Sequence, residues 1–329
     1  MERIGVLGVG RMGLPIASRL AVAGFDVIAF DADPSAVTRA RETGISTASS
    51  GRDLARTSTV LITILPGPQE LRSAMLGADG ALTELRPEPC WLDLTSNDPR
   101  VASEVAETAA SAGVHSVGSP MAGSPADAAA GSLGFFVAGA PLAVERTMPI
   151  LSVLGPADKR RTLGSDIRAG FTTKLMANTL WFGQVVAVTE MLLLGKATGI
   201  DVRTLADALQ GSAGGGFFMT HHLESLLAGD YLDTFGIDRV VEELDTINGL
   251  AEEYQVPHDL SGLVAHIHQE ALNRFGPVPG ELLAAKLLEE RGHTTLRAGS
   301  TSSEGTGDTS PPGTEHTGDV RPSGSGDAS

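Results

Sequence analysis

The chain has 329 residues, room for two domains with cores of their own. Its formal charge of −16 argues against nucleic acid or an anionic membrane as a general partner, while leaving space for a local basic cleft that binds an anionic substrate. A single cysteine, Cys90, excludes an intramolecular disulfide and fits a reducing compartment.

The N-terminal run Ile4-Gly5-Val6-Leu7-Gly8 reads as an apolar strand that leads into the turn Gly8-Val9-Gly10-Arg11-Met12-Gly13. A helical run follows over residues 14–23, closed by Gly24, and then a second strand over residues 26–31 that ends on Asp31. Each residue type has a task in dinucleotide binding. Gly8 permits the tight turn, Gly10 lets backbone approach a pyrophosphate, and Gly13 lets the helix pack close to the strand. The helix N-terminus offers N–H groups and a positive dipole end to the phosphates. Asp31 stands where a carboxylate accepts hydrogen bonds from the adenosine ribose, which favours NAD(H) and leaves NADP(H) possible. Arg11, Arg39 and Arg41 are the reservation, because an arginine near the ribose suits a 2′-phosphate.

Further strands are expected over residues 59–65, 90–94, 114–117 and 135–138, with helices over 35–43, 99–112 and 141–152 between them. This alternation implies a doubly wound parallel sheet with helices on both faces, the Rossmann-type α/β class. In such sheets ligands bind outside the strand ends. Cys90 sits before Trp91-Leu92-Asp93-Leu94 and reads as a buried strand thiol, not a nucleophile.

Near residues 163–165 the alternation stops. Residues 166–198 hold no proline and read as one long helix, with Gly170 and Gly183 as weak points. Helices are then expected over 202–210, 221–227, 237–254, 260–275 and 281–290, so this half is all-α. Trp181, Val185, Val188, Leu192 and Leu193 give the long helix more apolar positions than one covering face needs, which points to a dimer or higher homo-oligomer. From His293 onward the only sizeable aliphatics are Leu296 and Val320, and disorder is expected. The resulting division is a dinucleotide-binding domain over 1–163, a helical substrate and dimerisation domain over 164–292, and a tail over 293–329. No run reaches the roughly 18–20 uninterrupted apolar residues of a membrane span. Glycines and Arg11 break the N-terminal run in a way that suits strand and turn better than a signal peptide. A cytoplasmic location is expected, with no membrane or nucleic-acid partner.

Four segments carry chemistry beyond the glycine turn. Leu65-Pro66-Gly67-Pro68 ends a strand in a rigid turn suited to backbone contact with a cofactor. In Asp93-Leu94-Thr95-Ser96-Asn97-Asp98-Pro99 the hydroxyls and the Asn97 amide suit a polar substrate, while Ser96 or Asn97 could equally cap the helix containing Pro99. Gly118-Ser119-Pro120-Met121-Ala122-Gly123-Ser124-Pro125 offers small residues whose backbone N–H groups suit a carboxylate; otherwise it is a plain loop into a small helix. On the long helix, Lys174 and Asn178 are spaced i, i+4 and share a face. A helical lysine is most often solvated. Beside a nicotinamide ring, a desolvated ammonium can instead give its proton to a carbonyl oxygen as hydride arrives at carbon. His266 and His268 point apart on their helix, and His221-His222 has no partner at ligand spacing, so no metal site is expected.

In this order the segments resemble the β-hydroxyacid dehydrogenase family, over about residues 3–290. The family's glycine turn appears as Gly8 to Gly13. Its Asp-x-Ser-Thr motif appears as Asp93-Leu94-Thr95-Ser96, its Pro-Val-Ser-Gly-Gly segment as Pro120-Met121-Ala122-Gly123-Ser124, and its Gly-x-x-x-Lys-x-x-Asn-Asn stretch as Gly170 to Lys174 and then Ala177-Asn178. The resemblance implies an NAD(P)-dependent oxidoreductase acting on a small carboxylate-bearing 3-hydroxy acid or aldehyde-acid. Gly8, Gly10, Arg11, Met12, Gly13, Asp31, Leu65, Pro66 and Thr95 would hold the cofactor. Ser96, Ala122, Gly123, Ser124, Lys174 and Asn178 would hold the substrate, with Lys174 as proton donor and acceptor and Asn178 orienting it. Three departures stand out. Ala122 lacks a substrate-facing hydroxyl, partly restored at Ser124; Ala177 replaces the first asparagine; and Glu242-Glu243 follow Phe235 where the family has Lys-Asp. Two rivals remain. Imine reductases on the same scaffold usually carry Asp or Tyr at the lysine position, and a non-catalytic dinucleotide-binding protein would not need the Lys174 and Asn178 pair.

Overall fold

The structure, a computed structural model, describes residues 2–84 and 89–297. The strands are β1 (Arg3–Leu7), β2 (Asp26–Phe30), β3 (Ser46–Thr47), β4 (Val60–Thr63), β5 (Cys90–Asp93), β6 (His115–Gly118), β7 (Met121–Ala122), β8 (Gly134–Gly139) and β9 (Arg160–Thr162). They stand in the order β3-β2-β1-β4-β5-β6-β8-β7, with β9 on β8. From β3 through β6 every pairing is parallel. The chain reverses its direction of travel across the sheet between β1 and β4, and such a switch point opens a crevice at the carboxyl ends of the strands.

Between the strands run α1 (Gly13–Val22), α2 (Pro34–Glu42), α3 (Gly51–Thr57), α4 (Pro68–Leu76), α5 (Pro99–Ser111), α6 (Pro125–Ala130) and α7 (Pro141–Leu154). Both sheet faces are covered. Ile4, Val6, Ile62 and Leu92 pack against Ile16 and Leu20 of α1 and Ile150 and Leu154 of α7. Leu61 and Trp91 on the other face meet Leu54, Leu71 and Val105. This two-sided burial explains why these strands are nearly continuous apolar runs.

One strand departs from the expected parallel pattern. β8 pairs antiparallel with β6, Val117 opposite Gly139. A parallel neighbour needs a long crossover, usually through a helix of some length. Here the connecting chain is spent on β7 and the six residues of α6, which bring it back from the opposite end.

The helical half opens with α8 (Arg168–Ala197), followed by α9 (Val202–Gln210), α10 (Phe217–His221), α11 (Leu223–Ala228), α12 (Ile237–Glu253), α13 (Asp259–Phe275) and α14 (Leu283–Arg291). Gly170, expected as a weak point, marks a close approach instead. A Cβ there would stand 2.6 Å from the Phe136 carbonyl oxygen and 3.2 Å from that of Gly118. The residue lets α8 start hard against β6 and β8.

By length and composition α8 could cross a membrane. Here it serves as the central helix, packed against α9, α10, α12, α13 and α14. The apolar positions counted as more than one covering face needs are taken up within the chain. Val185 and Leu192 are fully buried within the chain, and Trp181, Val188 and Leu193 pack on the same core as Phe218 and Leu226. The exposed apolar side chains of α8 are Met176, Leu180, Met191 and Leu194, on the opposite side of the helix. Of the expected tail, residues 298–329 lie outside the described residues. The part before them is ordered: Leu296 is fully buried, its N–H donates to Glu289 Oε1 at 2.6 Å, and Lys196 Nζ holds the Thr295 carbonyl.

Candidate active site

The glycine turn has the expected geometry. Gly8 has φ of +97°, and a Cβ on Gly13 would collide with the Gly8 carbonyl oxygen, whereas a Cβ on Gly10 would meet nothing within 4 Å. Gly10 therefore faces open space, as a backbone cradle for a pyrophosphate requires. α1 begins at Met12 without a side-chain cap and without an acid in its first turn, which suits phosphate. Met12 itself packs on the core under the sheet. At the end of β2, the Asp31 carboxylate accepts from Val9 N at 2.8 Å and Asp33 N at 2.9 Å, tying the turn to the strand. The donor set and the open cradle fit a dinucleotide. Arg39 is engaged with Ser35 and Asp33, and Arg41 with Thr47. Arg11 reaches across the crevice to the Asp233 carbonyl at 3.0 Å.

Asp93, fully buried at the end of β5, organises the neighbouring loops. It accepts from Thr63 Oγ1 at 2.8 Å, Thr95 N at 3.0 Å and Asn97 Nδ2 at 3.1 Å. Thr95 in turn accepts from Leu65 N at 3.2 Å, so the turns after β4 and β5 are stitched together. Burial pushes the Asp93 carboxyl up to about 6, against the pull of these donors. The cap of α5 is neither Ser96 nor Asn97 but Asp98, which accepts from Arg100 N at 2.8 Å. That leaves Ser96 and Asn97 to line the crevice beside Pro66.

The 118–125 segment is more committed than its sequence suggested. Gly123 has φ of +132° and sits against Leu133. The Ser124 hydroxyl does not replace the group missing at Ala122. It donates to Asp127 Oδ2 at 2.7 Å and accepts from Asp127 N at 3.2 Å, a reciprocal cap on α6. What the segment offers a ligand is backbone.

Across the crevice, Lys174 and Asn178 do share a face of α8. Lys174 Nζ donates to Asn178 Oδ1 at 2.9 Å, and Asn178 Nδ2 donates to Glu243 Oε2 at 2.5 Å. The lysine stem is half-buried, but its ammonium end is enclosed. Burial lowers the Lys174 pKa, while Glu243 and Glu281 pull it back up. Glu243, on α12, is buried and its carboxyl is raised by desolvation. Sequence reasoning noted this acid only as part of a family departure and missed its place beside Asn178. The signal was present, because Glu243 falls three residues after Val240 on the buried side of α12.

Glu242 turns to Arg239 at 2.7 Å, and Arg239 reaches Glu70 of α4 at 3.2 Å, bridging the two halves of the chain. The crevice between the halves is lined by Pro66, Ser96, Asn97, Leu175, Arg239, Glu242 and Glu243. Among the described residues no three His, Cys, Asp or Glu side chains cluster as a metal site.

Residues 3–164 match the family described as the NAD binding domain of 6-phosphogluconate dehydrogenase, and residues 169–287 match the NAD-binding domain of NADP-dependent 3-hydroxyisobutyrate dehydrogenase. The 3-hydroxyisobutyrate dehydrogenase of Pseudomonas aeruginosa is 34% identical over 65% of this chain and 71% of its own length. In fold, the chain superposes on the 3-hydroxyisobutyrate dehydrogenase of Mycobacterium tuberculosis with a TM-score of 0.79 at 24% identity, covering 87% of this chain and 99% of the other. An imine reductase from Myxococcus stipitatus shares the fold more distantly, with a TM-score of 0.60 at 16% identity over 88% and 99% of the two chains. Both halves of the chain thus point the same way as the lysine and asparagine that meet between them: the chain belongs to the β-hydroxyacid dehydrogenase family and is an NAD(P)-dependent oxidoreductase of the 3-hydroxyisobutyrate dehydrogenase type.

Proposed function

We propose that Lys174 moves the proton and Asn178 aims it, in the interconversion of a small carboxylate-bearing 3-hydroxy acid and its aldehyde-acid. The supporting observation is the enclosed Lys174 ammonium, held by Asn178 at 2.9 Å and joined through it to Glu243, which lines the crevice together with Leu175, Ser96 and Pro66. When bound, the nicotinamide supplies or accepts the hydride. Lys174, with its pKa lowered by burial, can exist as the free amine that takes the substrate hydroxyl proton, or as the ammonium that returns one to the carbonyl oxygen. Asn178, fixed by Glu243, holds Nζ in one direction.

The cofactor is bound in this reading by Gly8, Gly10, Arg11, Met12, Gly13, Asp31, Leu65, Pro66 and Thr95, and it is NAD(H) in preference to NADP(H). The substrate meets Ser96, the backbone of Ala122, Gly123 and Ser124, and the Lys174 and Asn178 pair. The protein works as a homodimer or higher homo-oligomer in the cytoplasm, without nucleic-acid or membrane partners. Its acidic charge and the exposed apolar row of α8 support that part.

The test is NADH oxidation across a panel of semialdehydes, 2-oxo acids and cyclic imines. The greatest kcat/KM is expected with a small semialdehyde acid. Turnover confined to cyclic imines, or none at all, would refute the reading.

A further inference from the structure

We infer that Glu281 is the proton exit of the reaction: it takes from Lys174 the proton that the substrate hydroxyl has given up and passes it to solvent beside Thr234. This rests on the Lys174 reading above and adds the step by which an enclosed amine is reset after each turnover.

Three elements each bring one ionisable group to the same place. Lys174 comes from α8, Glu243 from α12, and Glu281 from the segment that leads into α14, and the charge of each acts on the other two. Backbone fixes Glu281 there. Gly280 N donates to the Phe235 carbonyl at 2.9 Å, Glu281 N to that of Leu232 at 3.0 Å and Leu282 N to that of Tyr231 at 3.1 Å, which laces residues 280–282 to residues 231–235. Leu282 is fully buried in the core that holds Val185 and Leu192 of α8. The half-buried Glu281 carboxylate then accepts from Thr234 Oγ1 at 2.8 Å, and Thr234 is exposed. One side chain thus reaches from the field of the enclosed lysine to the surface.

The two acids are not equivalent. Glu243 is buried and is served by Asn178 and Ser96, so a proton placed on it has no way out. Asn178 Oδ1, the hydrogen-bond partner of Lys174 Nζ, is an amide oxygen and does not carry a proton onward. Burial holds the Glu281 carboxyl above its ordinary range and the Lys174 ammonium below its own, which narrows from both sides the gap a proton must cross. The two interact by charge without closing an ion pair, so the proton crosses by way of water. The step balances. The substrate O–H bond breaks and an N–H bond forms on Lys174 as the carbon is oxidised by NAD+. That N–H bond then breaks, an O–H bond forms on Glu281, and solvent at Thr234 receives the proton, which restores amine and carboxylate.

The experiment follows NAD+ reduction and proton release together in stopped flow, with 3-hydroxyisobutyrate or the hydroxy acid of whichever semialdehyde is best in the panel above. NADH is read by its absorbance and the proton by an indicator dye in dilute buffer. Glu281→Gln keeps an acceptor for Thr234 and removes the titrating group. It should keep the parent's first-turnover burst of NADH, delay proton release, and lower the steady kcat about tenfold. Imidazole added as an external base should restore kcat, and Glu281→Asp should keep part of it. A Glu281→Gln enzyme with the parent's kcat and undelayed proton release overturns the inference. So does a loss that imidazole does not restore, the mark of a merely structural role. Lys174→Ala keeps the two readings apart, because it should lose the burst itself. A burst that survives there, or no turnover of any hydroxy acid by the parent, refutes the Lys174 reading and this inference with it. A lost burst beside an unimpaired Glu281→Gln enzyme refutes this inference alone.

Discussion

At the scale of single residues, the chemistry is assigned to one amine. Lys174→Ala should leave folding and NADH binding intact and lower kcat by about 10²–10⁴-fold, the usual cost of a lost general acid. Lys174→Arg should restore the charge and not the turnover, because guanidinium hardly deprotonates. Asn178→Ala should be milder, since it frees the ammonium from a 2.9 Å tether without removing it. Steady-state kinetics decide this; a Lys174→Ala enzyme retaining more than about a tenth of wild-type activity would remove the proton assignment. Asp31 sets a second expectation. Its carboxylate repels a 2′-phosphate, Ala32 follows it, and Arg39 and Arg41 are occupied by Ser35, Asp33 and Thr47. NADH should therefore show the higher kcat/KM, and a clear NADPH preference would count against that part of the reading. Arg11 is the residue to examine in that event, because its partner Asp233, met through the carbonyl at 3.0 Å and the carboxylate at 3.8 Å, is exposed.

At the scale of elements, the decisive joint is where α8 leaves the sheet. Gly170→Ala puts a methyl against two backbone carbonyls that cannot swing aside. It should cost about 1–3 kcal/mol in denaturant unfolding, and it should lower kcat too, because the strained turn of α8 carries Lys174. Unchanged stability would mean that the helix start yields freely. This joint also marks the limit of sequence reasoning. Long periodic stretches were legible: Val202–Gln210 fell where expected, and β1, α1 and β2 differed from expectation by a residue at their ends. Short elements were not. α3, β7 and β9 lack the length for a period to declare itself, α4 went unread although it is as long as α9, and the expected single helix over 221–227 proved to be α10 and α11, meeting at a non-helical His222. In the site, spacing alone paired Lys174 with Asn178. It could not say that the Ser124 hydroxyl would be taken by Asp127, or that a buried acid on α12 would close the Lys174–Asn178 chain. Those are choices among partners far apart in sequence, or between cap and ligand, and only packing makes them.

At the scale of the whole molecule, stability should carry an acid limb from His268. Its ring is fully buried beside Phe182; Nδ1 meets the Val264 carbonyl at 2.8 Å, and Nε2 has no partner among the described residues. Burial lowers its pKa to about 4, below the ordinary 6.5. Stability from the neutral ring is thus complete above pH 6.5 and is lost as pH falls towards 4, by at most about 3 kcal/mol. Asp93 works the other way: raised to about 6, it adds stability as pH falls from there towards 3.8. His268→Met isolates the first effect. The difference in unfolding free energy between variant and parent should shift in favour of the variant from pH 7 to pH 5, and a pH-independent difference would mean that the ring is solvated. The second whole-molecule prediction concerns assembly. Met176, Leu180, Met191 and Leu194 follow helical spacing along one side of α8, with Gly183 and Ala187 between them. Leu180 is 70% and Leu194 58% exposed, although the helix is the longest among the described residues, about 45 Å at 1.5 Å per residue. A row of that length exceeds the scattered exposed aliphatics of an ordinary surface and fits a self-complementary contact with a second copy. Light scattering at micromolar concentration should give at least a dimer mass, and Leu180→Glu with Leu194→Glu should shift it towards the monomer, because two buried charges per subunit would face their own images. Trp181, Val185 and Leu192, on the opposite side, are the contrast: Val185→Ala should lower stability by about 2 kcal/mol through a core cavity and leave the mass unchanged. A monomeric parent protein would show that the row serves no such contact.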